Sequence, residues 1–467
     1  MKMWSGRFRQ PLDPDFESWQ RSFGFDRRLL GCELAASSAH ARALKTAEVL
    51  SASELISILQ GLKQIGEQAA TTPEFLNDNE AEDVHHFVEK HLVALIGEVG
   101  YKLHSGRSRN EQIATDLRLY VRATIDQLRQ ELANLCCVLV DRAEQAADAA
   151  MPAYTHLQRA EPVLVAHWLM AYVEMLLRDA DRLADCRKRT NLCPLGSGAV
   201  AGTTISLDRE FIAQTMGFDA PTANSIDATS DRDFAIEFAN ALSLLAMHLS
   251  RWAEEMILFS TQEFGLVSPP EAYSTGSSAM PQKKNPDLLE LVRAKSGRVL
   301  GHATSLMVTL KGLPLAYNKD LQETQEPIFE SADTVLQMLP LVAGWMKAAE
   351  FHYERMNAAA QSGFMNAWAA ATYLVQHGVP SRLAHKQIGR AVQMCIEKNC
   401  ELQDLSLEEW RSLNPAFDQD VYESLKLASV LAIHDVPGGT APGRVHDAIA
   451  TARKKIESLR EEVYAHA

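Results

Sequence analysis

The sequence predicts an all-α protein organised around long helices, and three features predict it. Residues 111–151, 163–193 and 222–264 contain neither glycine nor proline, and windows of that length without a backbone breaker read as helix. In the first window Leu117, Val121, Ile125, Leu128, Leu132, Leu135 and Leu139 recur at spacings of three and four, which makes one stripe along a 3.6-residue helix. Between the windows, Gly, Pro, Ser and Thr gather at 152–162, 194–204, 265–286 and 312–327, so these segments are the expected loops.

Taken in order, the elements suggest three helical domains: an N-terminal domain (1–110), a central long-helix bundle (111–357) and a smaller C-terminal domain (358–467). At about 1.5 Å per residue the central helices would run on the order of 50–60 Å, too long for one small domain. Residues 232–264 are apolar around much of their circumference, a surface that a monomer would struggle to cover. The expectation is a bundle shared between subunits. A plain coiled coil fits less well, because strict heptads are not sustained. The chain shows no internal repeat and no low-complexity tract.

Composition bounds the function. A chain of 467 residues with 46% hydrophobic content can bury a large core divided among domains. Sixty acidic against 46 basic residues give a formal charge of -14, which argues against nucleic acid or an anionic membrane as partner. An anionic ligand would then need a locally basic pocket. The seven cysteines form no CxxC pair and read as thiols in a reducing compartment. The opening Met1–Phe8 has no apolar core of a signal peptide, and no apolar run reaches the ~18 residues of a span. A cytoplasmic location is expected.

The loop at 265–286 is the longest, and structureless loops beyond roughly 12–15 residues in compact helical proteins are usually functional or disordered. Its end, Ser274-Thr275-Gly276-Ser277-Ser278-Ala279-Met280-Pro281-Gln282-Lys283-Lys284-Asn285-Pro286-Asp287, combines small residues, hydroxyls and two lysines just before a helix. Asn285 suits an N-cap and Pro286 the first helical position, which would set free amides and the positive helix end beside the lysines. Glu290 follows within the next turn. Residue types alone leave a binding site and an ordinary surface loop equally open.

The stretch Gly276–Pro286 resembles the signature of the fumarase/aspartase superfamily, whose members eliminate fumarate from succinyl compounds. Gln282-Lys283-Lys284-Asn285-Pro286-Asp287 resembles the argininosuccinate lyase family in particular; fumarases usually carry Gly-Lys-Val-Asn there, and adenylosuccinate lyases often Tyr-Lys-Arg-Asn. Trp4-Ser5-Gly6-Arg7-Phe8, Gly106-Arg107-Ser108-Arg109-Asn110, Tyr154-Thr155-His156-Leu157-Gln158-Arg159-Ala160 and Tyr317-Asn318-Lys319-Asp320-Leu321-Gln322 resemble the same family, so the likeness runs nearly end to end. It implies reversible cleavage of argininosuccinate to arginine and fumarate by acid/base elimination, without metal or cofactor. It also implies a homotetramer whose active sites are built from loops of three subunits.

The same resemblance implies roles for single residues. Ser277 is the general base, with its alkoxide stabilised by Lys283 and loop amides, and Lys283 and Asn285 also stabilise the aci-carboxylate intermediate. His156 lies near the leaving group and Glu290 orients or charges it. Thr155, Ser108, Arg109 and Asn110 bind substrate carboxylates, although the last three also suit a cap for the helix beginning near residue 111. Ser278, Tyr317 and Gln322 contact substrate, while Ser22 and Asp26 help to hold the arginine end. The chain departs from the pattern at Gln325, where relatives commonly carry lysine; an amide still hydrogen-bonds a carboxylate but brings no charge. A related fumarate-releasing lyase, such as adenylosuccinate lyase, and a crystallin-like structural protein on the same scaffold are the competing readings.

Two motifs suggest other chemistry. Glu82-Asp83-Val84-His85-His86-Phe87-Val88-Glu89 spaces carboxylates and imidazoles like a Glu-x-x-His ligand set, but no second such motif exists, so a metal is not expected. Gly196-Ser197-Gly198-Ala199-Val200-Ala201-Gly202 lacks the glycine spacing and preceding strand of a dinucleotide site and reads as a tight-packing loop.

Overall fold

The computed structural model describes residues 10–466, so the Trp4–Phe8 motif lies outside the described residues. The all-α expectation holds: the protein is 70% helical, and among the described residues the strands form three two-stranded pairs, two of them only two residues long. No helix among the described residues is long and apolar enough to cross a membrane.

After two short helical turns at Pro14–Trp19 and Phe23–Asp26, three longer helices follow: α1 (Leu30–Thr46), α2 (Ala52–Thr71) and α3 (Val84–Ile96). The starts of α2 and α3 each have a local cause. Ser51 and Glu54 form a reciprocal capping box ahead of α2, and the Asp83 carboxylate accepts the His86 N–H at the start of α3. The breaker-free windows become α4 (Arg109–Ala146), α5 (Val165–Thr190) and α6 (Asp233–Ser260). Two more long helices follow, α7 (Asp287–Leu310) and α8 (Gln325–Ala348), then α9 (Ala367–Gln376), α10 (Ser381–Lys398) and α11 (Pro442–His466). The seven-residue apolar stripe of α4 is buried at 1% exposure or less throughout, as its spacing requires.

The chain packs as two compact units that interleave in sequence. The first comprises the chain to Gln127, Arg182–Ser243 and Arg298–Thr334; the second comprises Leu128–Asp181, Leu244–Gly297 and Val335–Ala467. In the first, Ala36, Ala39 and Ala43 of α1 pack with Leu119, Leu195 and Ile212. In the second, Trp252 and Trp345 meet edge to face at 5.3 Å, and Trp410, Phe417, Tyr373 and Ile388 close a C-terminal core.

One expected loop is not a loop. Residues 152–162 fall inside a hairpin of β1 (Ala150–Thr155) and β2 (Gln158–Leu164), with Pro152 opposite Pro162 and an irregularity before Tyr154. The prolines that read as breakers sit where the ladder is already interrupted, a position that tolerates a missing N–H. Within the second unit the hairpin is tied down at its base, where Asn357 Oδ1 accepts from Ala150 N at 2.7 Å and Thr440 Oγ1 from Leu164 N at 2.9 Å.

Candidate active site

The first unit holds a cavity of about 330 Å³. Seven of the sequence-derived candidates line it: Ser22 and Asp26 from the N-terminal segment, Arg109 and Asn110 from the start of α4, and Tyr317, Gln322 and Gln325 from the segment leading into α8. Ser22 Oγ donates to Asp26 Oδ2 at 2.6 Å, and Val84 N donates to Asp26 Oδ1 at 3.0 Å. Burial and the charge of neighbouring Asp83 nevertheless push the Asp26 carboxyl up to about 7. Arg109 pairs with Asp83 at 3.2 Å. The lining is not the basic pocket expected for an anion: Lys319 and Arg109 face Asp26, Glu82 and Asp83, a mixture suited to a ligand carrying charges of both signs.

Behind this lining lie groups that sequence reasoning did not assign. His85 reaches the cavity, and its Nδ1 lies 2.9 Å from Glu33 Oε2. Burial opposes the Glu33 charge, but Arg107 and His85 outweigh it and hold the carboxyl low, so His85 Nδ1 must be the donor. His85 Nε2 has no partner among the described residues. Asp116 completes a triad in which a His85 ring nitrogen and a carboxylate oxygen of each of Glu33 and Asp116 lie within 4.8 Å of one another. Its carboxyl is pushed well above the usual range by burial and by Glu33, and the guanidinium of Arg107, 3.6 Å from Glu33, supplies positive charge to the cluster. The polar run at 82–89 hinted at His85; nothing local pointed to Glu33 or Asp116, which the fold brings in from α1 and α4.

Arg232 is a second residue missed in sequence. It is fully buried, its Nε and Nη2 have no partner among the described residues, and Tyr317 and Asp231 lie close enough to influence it. Burial pulls this guanidinium down to about 10, and a buried cation in that state favours an arriving anion.

Ser108 lies just outside the cavity lining and helps to fix it. Its Oγ accepts from Asn110 N at 3.3 Å, and its N–H donates to Glu111 Oε1 at 2.9 Å. Glu111 Oε2 accepts from Gly196 N at 2.6 Å and Gly198 N at 2.8 Å, so one buried carboxylate ties the start of α4 to the glycine loop. Gly198 has φ +60°, and a Cβ there would meet Gly202 O at 2.7 Å, which fits the tight-packing reading of that loop.

The remaining candidates belong to the second unit. Thr155 ends β1, and His156 and Leu157 form the hairpin tip with φ of 55° and 56°. Two consecutive left-handed residues match a type I′ turn, but neither is Gly or Asn, and such a conformation costs roughly 1–2 kcal/mol per residue. Strain of that kind clusters at functional sites.

In the signature loop, Ser277 Oγ accepts from Ala279 N at 3.3 Å and Met280 N at 3.1 Å. Asn285 is not the helix N-cap expected from sequence. The helix α7 starts at Asp287, while Asn285 bridges to Thr275 and its Nδ2 donates to Thr275 Oγ1 and Gly276 O, both at 3.3 Å. Asp287 Oδ2 accepts from Thr275 N and Oγ1 at 3.1 and 2.6 Å. The loop is therefore closed at its neck, with Ser277, Ser278 and Lys283 on the part beyond. Ser277 is half-buried, whereas His156, Ser278, Lys283 and Glu290 are exposed in the single chain. No hydrogen bond or ion pair joins His156 to Glu290 among the described residues.

A helical scaffold with a mixed-charge cavity and an amide-supported serine loop is the outline of a lyase that works by proton transfer, and similarity to known proteins agrees. A family described as "Lyase" matches residues 6–301, and one described as "Argininosuccinate lyase C-terminal" matches residues 364–432. The argininosuccinate lyase of Koribacter versatilis (strain Ellin345) is 60% identical over 461 residues, covering 99% of this chain and 99% of that protein. That of Acidobacterium capsulatum is 57% identical over 464 residues, covering 98% and 96%. In structure, the chain is similar to EDDS lyase crystallised in complex with formate, with a TM-score of 0.84 and 25% identity over 98% of this chain and 93% of that one. The chain belongs to the argininosuccinate lyase family.

Proposed function

We propose that this lyase cleaves argininosuccinate to arginine and fumarate, and that the amide-supported hydroxyl of Ser277 begins the reaction. Ser277 takes a proton from the carbon beside a carboxylate, leaving a doubly negative aci-carboxylate. An alkoxide is a poor species at neutral pH unless donors hold it, and the two N–H groups aimed at Ser277 Oγ are such donors. Lys283 and Asn285 stabilise the aci-carboxylate, and His156 protonates the departing nitrogen directly or through water, with Glu290 as its partner. Ser108, Arg109, Asn110 and Thr155 hold the carboxylates, and Ser278, Tyr317, Gln322 and Gln325 complete the contacts. Arg232 adds positive charge behind Tyr317.

Ser22 and Asp26 take the arginine end. The raised Asp26 carboxyl suits a site that becomes ionised when a guanidinium arrives, because an adjacent cation favours the charged form. No step uses a metal or cofactor.

The assembly proposed is a homotetramer with sites completed by neighbouring subunits. Along α7, Leu289, Val292, Val299, Ala303 and Leu306 are buried, while Leu291, Leu300, Met307 and Val308 are 45% or more exposed. A long helix apolar beyond its buried stripe calls for further copies of the chain. The exposure of His156, Lys283 and Glu290 agrees, since these groups need walls that one subunit lacks. A division into 1–110, 111–357 and 358–467 is proposed on the start of α4 at Arg109 and the C-terminal family match at 364–432. A cytoplasmic location is proposed with it.

Incubation with argininosuccinate and, separately, adenylosuccinate, followed by fumarate absorbance, tests the reading. Fumarate from the first substrate alone is expected. Fumarate only from the second would transfer the chain to a different specificity, and a folded tetramer releasing none from either would favour a structural role.

A further inference from the structure

The C-terminal end of α10 carries two cysteines that the reaction does not use. The helix ends on Asn399 in the left-handed conformation, φ 52° and ψ 52°. Cys400 N donates to Cys395 O at 3.0 Å, and Asn399 N donates to Ile396 O at 3.3 Å. These are the two bonds of a Schellman cap, in which the residue after the left-handed one folds back onto the residue five before it and their side chains meet. Here both positions are cysteine. A 3.0 Å N···O separation between them, with ordinary bond lengths, keeps the two Cα atoms within roughly 7 Å, the outer limit for a disulfide.

The surroundings favour the pair further. Cys395 is fully buried in the C-terminal core, and Cys400 packs partly buried against the same core. Both are free thiols. Burial and the neighbouring Cys400 push the Cys395 thiol up to about 12, so the buried sulfur keeps its proton. Cys400, half-buried, is the sulfur that an oxidant from solvent meets first.

We propose that Cys395 and Cys400 are a reversible oxidation site that closes a disulfide across the helix cap when the protein meets a peroxide. The Cys400 thiolate attacks one peroxide oxygen and releases hydroxide, forming a sulfenic acid. The Cys395 sulfur then attacks the Cys400 sulfur; its proton and the sulfenic hydroxyl leave as water. In sum, two thiols and one hydrogen peroxide give one disulfide and two waters.

The test uses the full-length protein treated with hydrogen peroxide, blocked with an alkylating agent under denaturing conditions, digested and examined by mass spectrometry. Expected is a peptide containing both residues that has lost two hydrogens and escapes alkylation, restored by dithiothreitol. Cys400→Ser should return Cys395 to the alkylated pool, and argininosuccinate turnover of that variant without peroxide should match the parent. Cys400 as sulfinic acid or a mixed disulfide with Cys395 still alkylated would overturn the proposal. So would a cross-link confined to the adjacent Cys136 and Cys137.

Discussion

Replacing Glu111 by Gln probes how the start of α4 is held in shape for substrate. Glu111 is fully buried and accepts three backbone N–H groups: Ser108 on one oxygen, Gly196 and Gly198 on the other. Hydrogen bonds to a charged group contribute about 1.5–3 kcal/mol each. A glutamine keeps one oxygen, and the orientation that serves both glycines turns its NH2 group toward the Ser108 N–H. One bond is lost and two donors oppose each other in a buried place, while the burial that raises the Glu111 carboxyl no longer opposes a charge. The balance predicts a loss of roughly 2–3 kcal/mol.

Because Ser108, Arg109 and Asn110 are adjacent, KM for argininosuccinate should rise as well, with kcat less affected. Urea unfolding at fixed protein concentration and steady-state kinetics measure both. A stability change below about 0.5 kcal/mol, within the range of an ordinary surface substitution, would show that the carboxylate does not organise this corner.

Other expectations follow from the same geometry. Asp26 titrates near 7 in the folded protein against an ordinary value of about 3.9. Its protonated form therefore favours folding below about pH 4, and that contribution is lost as pH rises to about 7; Asp26→Asn should gain stability relative to the parent between about pH 4 and 7, and a parallel pair of curves would contradict the shift. Arginine binding near pH 6.5 should release a proton, seen as buffer-dependent heat in calorimetry and absent in Asp26→Asn. Leu157→Gly should relieve about 1 kcal/mol of left-handed strain yet lower kcat by loosening His156; thermal unfolding and turnover together check it. Gln325→Lys should lower KM, since a charge-assisted bond is roughly twice as strong as a neutral one, and an unchanged KM would mean that Gln325 makes no substrate contact.

The helices were readable because their signal is local. Windows such as 111–151 without Gly or Pro, and an apolar stripe at three-four spacing, leave the chain few alternatives, and α4, α5 and α6 appear where the windows lie. The hairpin at 150–164 was not readable, since prolines that break a regular ladder are harmless at its irregularities. Cavity residues such as Arg109 and Tyr317 came from motif resemblance. Arg232, Glu33 and Asp116 escaped because their meaning lies in burial and in partners distant along the chain, such as Glu33 with His85 and Arg232 with Tyr317. The residue type of Asn285 suits a cap; its actual bonds to Thr275 and Gly276 depend on a loop closure that no local pattern announces.

The measurement that bears most directly on the chemistry is argininosuccinate turnover by the purified chain beside its Ser277→Ala variant, each checked for fold and assembly. A positioned general base typically contributes about 100-fold to 10,000-fold in rate, and a loss of at least about 100-fold with the fold intact is the predicted result. A variant as fast as its parent would contradict the role given to the amide-held serine.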